Sequence, residues 1–440
     1  MARSGIAVAQ LLRANGALVT INDSKSEEEL GESLKVLDGL QLERKFGCPA
    51  MDLLEGQDVL VISPGIPDTA SFVKRAREMG LYVTGELEVA SQLSQGTLIA
   101  VTGTNGKTTT VSLLGEIFRN AGKMTHVVGN IGYPYSLAAL VSKKDDVMIC
   151  EVSSFQMETA DTFRPKVGLL TNITEDHLNR HGTMEEYTRL KMRMFEQQTP
   201  SDFAVLNADD PGLKGLDSLV RSRVLFFSRT HEVPDGAFVR DGRVIFRLDG
   251  QETDLLGTDA IYIPGPHNLE NALAAVCIGA VSGIPFASMA TTLRTFQGVE
   301  HRIEFTRELD GVRYYNDSKG TNVDSTICAV RTMTRPTVMI LGGSDKHANF
   351  APLARCIRDS GMIRAMVLIG VTAPQIETAL KAEGLGDIVH ASSMKEAVET
   401  CRELAREGWN VLLSPACASF DMFHDYEERG RVFKEIVRAL

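Results

Sequence analysis

The chain has 440 residues, of which 43% are hydrophobic and 23% charged. This composition is typical of globular proteins, so it excludes collagen-like and coiled-coil chains, and the length predicts about three domains at roughly 150 residues each. The formal net charge of −11 disfavours nucleic acid or an anionic membrane as partner, because the overall field repels phosphate polymers. There is no run of ~18 apolar residues, and the seven cysteines are scattered. We therefore expect a cytoplasmic protein with reduced thiols. These features leave the oligomeric state open, and we expect a monomer.

Short apolar runs alternate with amphipathic segments along most of the chain. Predicted strands lie at residues 58–62, 98–101, 146–150, 167–170, 203–206, 338–341, 365–369 and 411–413. Each run ends near a polar residue or glycine, a pattern typical of parallel sheets covered by helices, so the fold class is α/β. Within residues 224–263, the turn signals Asp241-Gly242 and Asp249-Gly250 predict β hairpins.

The domain boundaries follow from a polar patch and a predicted hinge, and give domains at 1–93, 94–299 and 300–440. The first domain departs from an ordinary open α/β domain at its start. Residues 4–15 have helical periodicity and 18–21 form a predicted strand, but no strand or glycine turn precedes that helix. Because the first strand and its turn normally form the ligand crevice, we expect either a start further upstream or a shortened first domain.

A phosphate-binding motif follows the predicted strand 98–101. Its residues are Thr102, Gly103, Thr104, Asn105, Gly106, Lys107, Thr108, Thr109 and Thr110, and a helix comes after them. A glycine loop at a helix N-terminus aims backbone N–H groups and the positive end of the helix dipole at an anion. Lys107 would reach the β- and γ-phosphates, and the Thr108 hydroxyl would ligate Mg²⁺. Val101 replaces the first glycine of the usual pattern, so this is a shortened variant; the alternative is a chance Gly-Lys-Thr turn.

Two further side chains are predicted at the same edge of the sheet. Glu151 ends the predicted strand 146–150, and His177 closes the polar segment that follows the strand 167–170. Mg²⁺ prefers oxygen ligands and keeps few protein contacts, which a carboxylate at this edge would provide. The alternatives are a helix-capping role for Glu151 and an ordinary turn position for His177.

Lys191 has an unusual place in its helix. The amphipathic pattern over residues 185–197 puts it on the apolar face, four residues after Tyr187. A buried lysine is costly unless it is paired, neutralised or modified. If Lys191 took up CO₂, the carbamate would be an oxygen ligand for a second Mg²⁺ beside His177. The alternative is that the side chain extends past its apolar neighbours into solvent.

The C-terminal half carries several polar clusters. Asn268 and Asn271 lie one helical turn apart and could contact an adenine edge, although Asn268 could equally be a helix N-cap. Arg302 lies at the predicted hinge, where a guanidinium could reach a transferring phosphate. Three polar segments follow predicted strands of the third domain, at residues 316–322, 342–346 and 414–421. Two lysines and a serine-rich turn facing one crevice suit an anionic substrate.

In order and spacing, these motifs resemble the Mur ligase family from about residue 98 to the end. The motifs are Gly-Thr-Asn-Gly-Lys-Thr-Thr, Glu151 with Ser-Ser-Phe-Gln, Thr-Glu-Asp-His, Lys191, His-Asn-Leu-Glu-Asn, His-Arg, Asn-Asp-Ser-Lys and Gly-Gly-Ser-Asp-Lys. Two segments, Ser-Pro-Ala-Cys-Ala-Ser-Phe-Asp from Ser414 and Glu-Glu-Arg-Gly from Glu427, are similar to the member that adds D-glutamate. The resemblance implies a Rossmann-like first domain lacking its first strand, a P-loop central domain with a mostly parallel sheet, and a Rossmann-like C-terminal domain.

The same resemblance implies an ATP-dependent amide ligase of peptidoglycan precursor synthesis, which joins D-glutamate to UDP-N-acetylmuramoyl-L-alanine through an acyl phosphate. The implied catalytic residues are Lys107, Glu151, His177 and Lys191. Implied ligands of two Mg²⁺ ions are Thr108, Glu151, His177 and carbamylated Lys191. ATP contacts are the loop residues Gly103 to Thr110 with Asn268, Asn271, Arg302 and Asp317. UDP-sugar contacts are Ser4, Gly5, Asp23, Ser24, Lys25, Gly65, Asn130 and Ser153. D-glutamate contacts are Lys319, Thr321, Lys346, Ser419, Phe420 and Tyr426.

Other functions stay open at this point. The enzyme could be another Mur-type ligase, adding L-alanine or a diamino acid, or a folylpolyglutamate-type ligase. The sequence has no Asp-Asn-Pro-Arg motif of the kind expected in the diamino-acid enzymes. An inactive nucleotide-binding homologue is conceivable because of the first domain, but the presence of Glu151, His177 and Lys191 together argues against it.

Overall fold

The computed structural model describes residues 3–130, 132–344 and 348–440, which form two compact units. The first unit runs to Tyr262 and includes Asn268–Phe296; the second comprises Ile263–His267 and Gln297–Leu440. Both are α/β, as the alternation of apolar and amphipathic segments predicts. All seven cysteines are free thiols. Among the described residues we find no helix with the length and apolar composition that crossing a bilayer requires.

The N-terminal part of the first unit contains four strands that pair as two separate parallel sheets, β1 with β2 and β3 with β4. These strands are β1 (Thr20–Asp23), β2 (Glu43–Phe46), β3 (Val59–Ile62) and β4 (Tyr82–Gly85). The helices are α1 (Arg3–Ala14), α2 (Glu27–Leu30), α3 (Ser71–Glu78) and α4 (Glu86–Leu93). The predicted strand 18–21 is shifted by two residues, because Leu18 is 97% exposed and stays outside β1.

The rest of the first unit is built on a nine-stranded sheet. Its strands are β5 (Thr97–Thr102), β6 (Thr125–Gly129), β7 (Val147–Glu151), β8 (Val167–Leu170), β9 (Phe203–Asn207), β10 (Arg223–Ser228), β11 (Gly236–Arg240), β12 (Arg243–Leu248) and β13 (Gln251–Gly257). Its helices are α5 (Lys107–Asn120), α6 (Tyr135–Val141), α7 (Ser154–Met157), α8 (Leu178–His181), α9 (Met184–Glu196), α10 (Pro266–Val281) and α11 (Phe286–Thr295). The strand order is β13-β12-β11-β10-β9-β8-β5-β7-β6.

The centre of this sheet explains where ligands can bind. Strands β5 to β11 each pair in parallel within this group, and β5 lies between β7 and β8. These three strands are buried on both faces, which is why their sequences are nearly continuous apolar runs. Their carboxyl ends therefore meet at one edge of the sheet, where Glu151 and the predicted phosphate loop lie.

The predicted hairpins are confirmed, and they extend the nine-stranded sheet. β11 pairs with β12 and β12 with β13 in antiparallel fashion. At the first turn, Asp241 has φ 50° and Gly242 φ 71°, and at the second Asp249 has φ 52° and Gly250 φ 76°. Two successive positive φ angles match the twist of antiparallel strands in a tight hairpin turn. Along β13, Glu252 and Asp254 form ion pairs with arginines 240, 243 and 247 of neighbouring strands.

The second unit contains a six-stranded sheet of order β14-β15-β19-β16-β17-β18. Its strands are β14 (Glu304–Leu309), β15 (Val312–Asn316), β16 (Thr337–Leu341), β17 (Ile363–Leu368), β18 (Ile388–His390) and β19 (Asn410–Leu413). Its helices are α12 (Val323–Thr332), α13 (Ala351–Ser360), α14 (Ala373–Ala382), α15 (Met394–Leu404) and α16 (Tyr426–Ala439). Because β15, β19 and β16 run parallel side by side, the described residues that follow them, 317–322, 342–344 and 414–421, lie at one edge.

Candidate functional site

The loop between β5 and α5 is built around two glycines. Gly103 has φ +141°, and a Cβ atom there would lie 2.0 Å from the Thr171 hydroxyl oxygen. Gly106 has φ +85°, and a Cβ atom there would lie 2.6 Å from Asn271 Oδ1. The Thr104 N–H donates to the Asn172 carbonyl at 3.0 Å. The loop is therefore packed so closely that only glycine fits at both positions, and α5 begins directly after it, as the motif predicts.

Glu151 is the centre of a polar cluster beside this loop. It ends β7 and is 2% exposed. The Thr108 hydroxyl donates to Glu151 Oε2 at 3.0 Å, and Asn130 Nδ2 donates to Glu151 Oε1 at 3.0 Å. The capping alternative for Glu151 is wrong, since the residue that caps α7 is Ser153. A buried carboxylate beside a hydroxyl is the kind of oxygen donor pair that Mg²⁺ binds.

The two lysines predicted at the phosphate site both contact the loop. Lys107 Nζ donates to the carbonyls of Gly103 and Thr104 at 2.8 and 2.7 Å. Lys191 Nζ, from α9, donates to the Gly103 carbonyl at 2.8 Å. Lys191 is 2% exposed, so the alternative that its side chain reaches solvent is wrong. Burial, together with the nearby charge of Lys107, holds the pKa of Lys191 well below its usual range, which favours the neutral amine.

Aromatic rings fill the space between α7, α8 and α9. His177 has φ 54° and directly precedes α8, with its ring centroid 4.7 Å from that of Phe155. His181 Nε2 lies 2.9 Å from the Ser154 hydroxyl oxygen, and burial lowers the His181 pKa. The rings of His181 and Tyr187 stack at 5.5 Å. The exposed side chain of His177 is compatible with both a ligand and a turn position.

Sequence reasoning missed two members of this cluster. The Tyr187 hydroxyl lies 3.2 Å from Thr104 Oγ1 and is within hydrogen-bond distance of the phosphate loop. The ring of Tyr187 also contacts Lys191. His181 was not singled out either. Its spacing of four residues from His177 gave no signal, because His177 precedes α8 and the two residues share no helix face.

The two predicted adenine contacts support the phosphate loop. α10 begins at Pro266, so Asn268 lies inside the helix and the N-cap alternative is wrong. Asn271 Nδ2 donates to Asn268 Oδ1 at 3.2 Å, and Asn271 Oδ1 accepts from the Thr110 hydroxyl at 3.2 Å. Both asparagines are buried. Contact with an adenine edge stays a prediction.

The predicted UDP-sugar residues are dispersed over the first unit. Ser4 and Gly5 lie in α1; Asp23 ends β1, and Ser24 and Lys25 follow it. The Lys25 N–H donates to Asp23 Oδ1 at 3.0 Å. Among the other three, Asn130 contacts Glu151, Ser153 caps α7, and the Gly65 carbonyl lies 3.4 Å from Nη1 of Arg180. Arg180 is a residue that the motifs did not indicate.

In the second unit, Asp317 lies just after β15 and is 2% exposed. Its Oδ2 accepts from the Ser414 hydroxyl at 2.6 Å, and its Oδ1 accepts from the Ile303 N–H at 3.2 Å. Burial raises the pKa of Asp317 to about 6, although Arg302 and the Ser414 hydroxyl act in the opposite direction. The Nε atom of Arg302 has no hydrogen-bond partner in the part of the chain that the structure describes. This region therefore has polar groups suited to a further ligand.

The predicted D-glutamate residues are partly brought together. Lys319 Nζ lies 5.4 Å from the ring centroid of Tyr426. Thr321 follows on the same loop, Ser419 is buried after β19, and Phe420 is 73% exposed. Lys346 lies outside the described residues. Two further loops, at 342–344 and 416–421, meet where the Ser344 N–H donates to the Ala418 carbonyl at 2.9 Å.

Arg429 organises these loops, a role that its sequence pattern did not reveal. Its side chain is 1% exposed. The guanidinium donates to the Cys417 carbonyl at 3.1 Å and to the Ser318 carbonyl at 2.8 Å. It thereby ties the segment after β15 to the segment after β19. Arg429 belongs to the Glu-Glu-Arg-Gly segment of the resemblance, but an arginine in a charged amphipathic helix is normally exposed, so the segment did not indicate its burial.

Another cluster in the second unit has the composition of a metal site. One ligand atom from each of Glu300, His301 and Glu304 lies within 4.8 Å of the others. However, Lys434 Nζ donates to Glu300 Oε1 at 2.5 Å and to Glu304 Oε1 at 3.0 Å. The lysine ammonium offsets one of these two negative charges and hydrogen-bonds both carboxylates, so we assign the cluster a structural role.

Residues 101–279 match the model of the Mur ligase middle domain, and residues 301–417 match that of the Mur ligase glutamate ligase domain. The UDP-N-acetylmuramoylalanine--D-glutamate ligase of Pelotomaculum thermopropionicum is 48% identical over 438 residues, covering 100% of this chain and 96% of that protein. The ligase of the same name from Clostridioides difficile is 43% identical over 442 residues, covering 100% and 97%.

Solved structures show the same fold. The UDP-N-acetylmuramate-alanine ligase MurC of Thermotoga maritima aligns with a TM-score of 0.61 at 19% identity, covering 99% of this chain and 97% of that one. The MurF ligase of the same organism, solved in complex with ADP, aligns with a TM-score of 0.59 at 17% identity, covering 88% and 99%. At such low identity the likeness concerns architecture, and it confirms the predicted α/β fold class.

Proposed function

Because the chain belongs to the Mur ligase family, we propose that it joins D-glutamate to UDP-N-acetylmuramoyl-L-alanine at the expense of ATP, in the cytoplasm. The observation that carries the proposal is the 48% identity with a D-glutamate ligase along the whole of this chain. The local geometry supports it, since Lys107, Glu151 and Lys191 are assembled around one glycine loop. In this proposal residues 1–93 bind the UDP-sugar, 94–299 bind ATP and 300–440 bind D-glutamate.

The reaction has two steps. A carboxylate oxygen of the alanyl group attacks the γ-phosphorus of ATP, the bond to the β-phosphate oxygen breaks, and ADP leaves. The amine of D-glutamate then attacks the carbonyl carbon of the acyl phosphate; inorganic phosphate leaves, and the nitrogen loses a proton. Negative charge accumulates on the phosphoryl group in the first step and on the carbonyl oxygen in the second, so fixed positive groups accelerate both.

In the first step the chain supplies the phosphate loop. The N-terminus of α5 offers backbone N–H groups and the positive end of its dipole. Lys107, which now donates to two loop carbonyls, would transfer its hydrogen bonds to the β- and γ-phosphates. The glycines at 103 and 106 keep the loop packed against Thr171 and Asn271, so the N–H groups are already oriented.

Metal binding is part of the proposal. Thr108 and Glu151 supply two oxygen donors within 3.0 Å of each other, a donor set that fits Mg²⁺. We assign the second ion to His177 and a carbamate on Lys191, because a buried amine held neutral can add CO₂. When bound, Mg²⁺ would neutralise phosphate charge and polarise the phosphoryl oxygens.

In the second step, the positive groups of the second unit would bind the incoming amino acid. Lys319 lies over the Tyr426 ring, and a lysine ammonium is suited to a carboxylate. The loops tied together by Arg429 would present Ser419 to the same substrate. We retain Thr321, Phe420 and Lys346 in this proposed contact set, and assign Asp317 and Arg302 to the nucleotide.

The proposal is tested by phosphate release with purified protein, ATP, Mg²⁺ and UDP-N-acetylmuramoyl-L-alanine. Each of D-glutamate, L-glutamate, L-alanine and a diamino acid is supplied in turn. Of the four amino acids, we expect only D-glutamate to cause phosphate release. The Lys107→Ala variant should release no phosphate, because it lacks the phosphate-binding cation. Release with L-glutamate but not with D-glutamate would contradict the proposed substrate.

A further inference from the structure

Arg180, in the short helix α8, reaches a loop that is far from it in sequence. Its guanidinium donates to the carbonyl of Ile66 at 2.9 Å, and lies 3.4 and 3.5 Å from the carbonyls of Gly65 and Pro64. These three residues come after Ser63, which follows β3, in the region proposed to bind the UDP-sugar. A single side chain thus contacts three consecutive carbonyls of that loop.

The other edge of the same guanidinium is fixed by a carboxylate. Arg180 Nε and Nη2 donate to the two oxygens of Glu158 at 3.0 and 2.7 Å. The guanidinium also lies over the Phe155 ring, 5.2 Å from its centroid. The two charged side chains are only 19% and 11% exposed. A paired, stacked guanidinium in this environment has little freedom to rotate, because each contact restricts a different direction.

Arg180 is also close to the proposed metal ligands in sequence and in space. It follows His177 by three residues, and both side chains contact Phe155. The next residue, His181, contacts Ser154. The guanidinium therefore connects the loop at 63–66 to the segment that carries His177, using main-chain carbonyls on one side and a carboxylate on the other.

We propose that Arg180 is a positioning residue, which holds the loop at 63–66 in register with His177 so that the acceptor nucleotide-sugar is aligned with the ATP site. This inference rests on the proposed function, which assigns the UDP-sugar to that loop. It predicts that arginine is required in particular. A lysine has the charge but presents its three donors from one atom, and it cannot serve the carboxylate and the carbonyls with a planar fork.

Steady-state kinetics test the proposal with two variants and a matched control. In Arg180→Ala and Arg180→Lys we expect the KM for UDP-N-acetylmuramoyl-L-alanine to rise about tenfold, while the KM for ATP stays within about twofold. In Glu158→Gln the KM for the UDP-sugar should rise by a smaller factor, because the substitution removes the negative charge of Glu158 but keeps the shape of its side chain. The control is Arg189→Ala, which removes an exposed arginine paired with Glu186 on α9 and should leave all constants unchanged. An unchanged KM for the UDP-sugar, or equal rises in both KM values, would overturn the proposal.

A second measurement needs no substrate. Hydrogen exchange followed by mass spectrometry reports the amides of residues 64–70, among which the Ile66 N–H donates to the Ser63 carbonyl. In Arg180→Ala these amides should exchange about tenfold faster than in the wild type, while peptides from β5 and β7 keep their rates. Unchanged exchange at 64–70 would refute the positioning role. If the wild type instead shows no D-glutamate-dependent activity, the proposed function fails, and exchange still decides whether Arg180 holds the loop.

Discussion

Two regions of the molecule place the amino group of a lysine over a tyrosine ring, and the two lysines differ in their surroundings. In the first unit, Lys191 lies 4.5 Å from the Tyr187 ring centroid. In the second unit, Lys319 lies 5.4 Å from that of Tyr426. Lys191 is buried and donates to a backbone carbonyl, whereas Lys319 is half-buried at the carboxyl end of its sheet. The residue pair alone therefore does not define the chemistry of the lysine.

The difference comes from solvation. An ammonium loses its hydration on burial, and Lys191 has a second lysine nearby, so both effects favour the uncharged amine. An uncharged amine can react with CO₂, whereas a solvated ammonium attracts carboxylates. We therefore expect substitutions at the two sites to have different signatures, one on catalysis and the other on binding of the amino acid.

The largest effect is expected from Lys191→Ala. Because the proposed carbamate contributes to stabilising charge on the phosphoryl group, activity should fall about a thousandfold. Short carboxylic acids added to the variant should restore part of it by supplying the missing oxygen ligand. Phosphate release measures the loss of activity and its partial recovery. The control is Lys395→Ala, which replaces an exposed lysine on α15. A fully active Lys191→Ala enzyme would contradict the proposed carbamate. It would also contradict the proposed difference in role between Lys191 and Lys319.

The next largest effect concerns pH and the buried carboxyl two residues before Lys319. The pKa of Asp317 is raised on folding from 3.8 to about 6, so the folded state binds the proton more tightly than the unfolded state. Its contribution to stability is greatest below pH 4 and is lost as the pH rises to 6, in total about 3 kcal/mol. In Asp317→Asn this pH dependence is absent. Urea unfolding of both proteins between pH 4 and 7 tests it; a difference that does not vary with pH would contradict it.

Lys319→Ala tests the binding side of the comparison. Loss of a charge-assisted hydrogen bond to the substrate, worth about 2 kcal/mol, should raise the KM for D-glutamate about thirtyfold. The KM for ATP should stay near the wild-type value, and Lys319→Arg should retain part of the affinity. Initial rates at varied D-glutamate concentration give both constants. If kcat fell with KM unchanged, Lys319 would resemble Lys191 and the two sites would not differ in role.

The smallest effects are expected at the tyrosines. The Tyr187 hydroxyl is buried against Thr104, so Tyr187→Phe should lower the free energy of unfolding by about 1 kcal/mol. The Tyr426 hydroxyl donates to Glu427 at 3.2 Å in an exposed position, so Tyr426→Phe should change it by less than about 0.5 kcal/mol. Thermal unfolding compares them. Equal losses would show that the two rings are supported in the same way.

The sequence predicted the fold class and the strand–loop–helix geometry at residues 97–120 well, because both depend on local pattern. Phosphate binding by the loop stays a prediction. Buried parallel strands need continuous apolar runs, and the loop needs glycines at 103 and 106. Lys191 was also detectable, since its charge interrupts an apolar helix face. The contacts of Arg180 and Arg429 were not, because both side chains bind backbone carbonyls distant in sequence, and the carboxylate that pairs with Arg180 is 22 residues away. Any residue can supply a carbonyl, so no sequence pattern marks such a partner.

The charged hairpins at the end of the nine-stranded sheet have a consequence for assembly. An outermost strand presents unpaired N–H and C=O groups that another chain can add to, which is a common start of aggregation. On β13, Glu252 and Asp254 alternate with uncharged residues and are paired with arginines of the same sheet. A second chain aligning there would have to desolvate these ion pairs. The hairpins thus disfavour strand addition at β13 and protect a long parallel sheet while it folds.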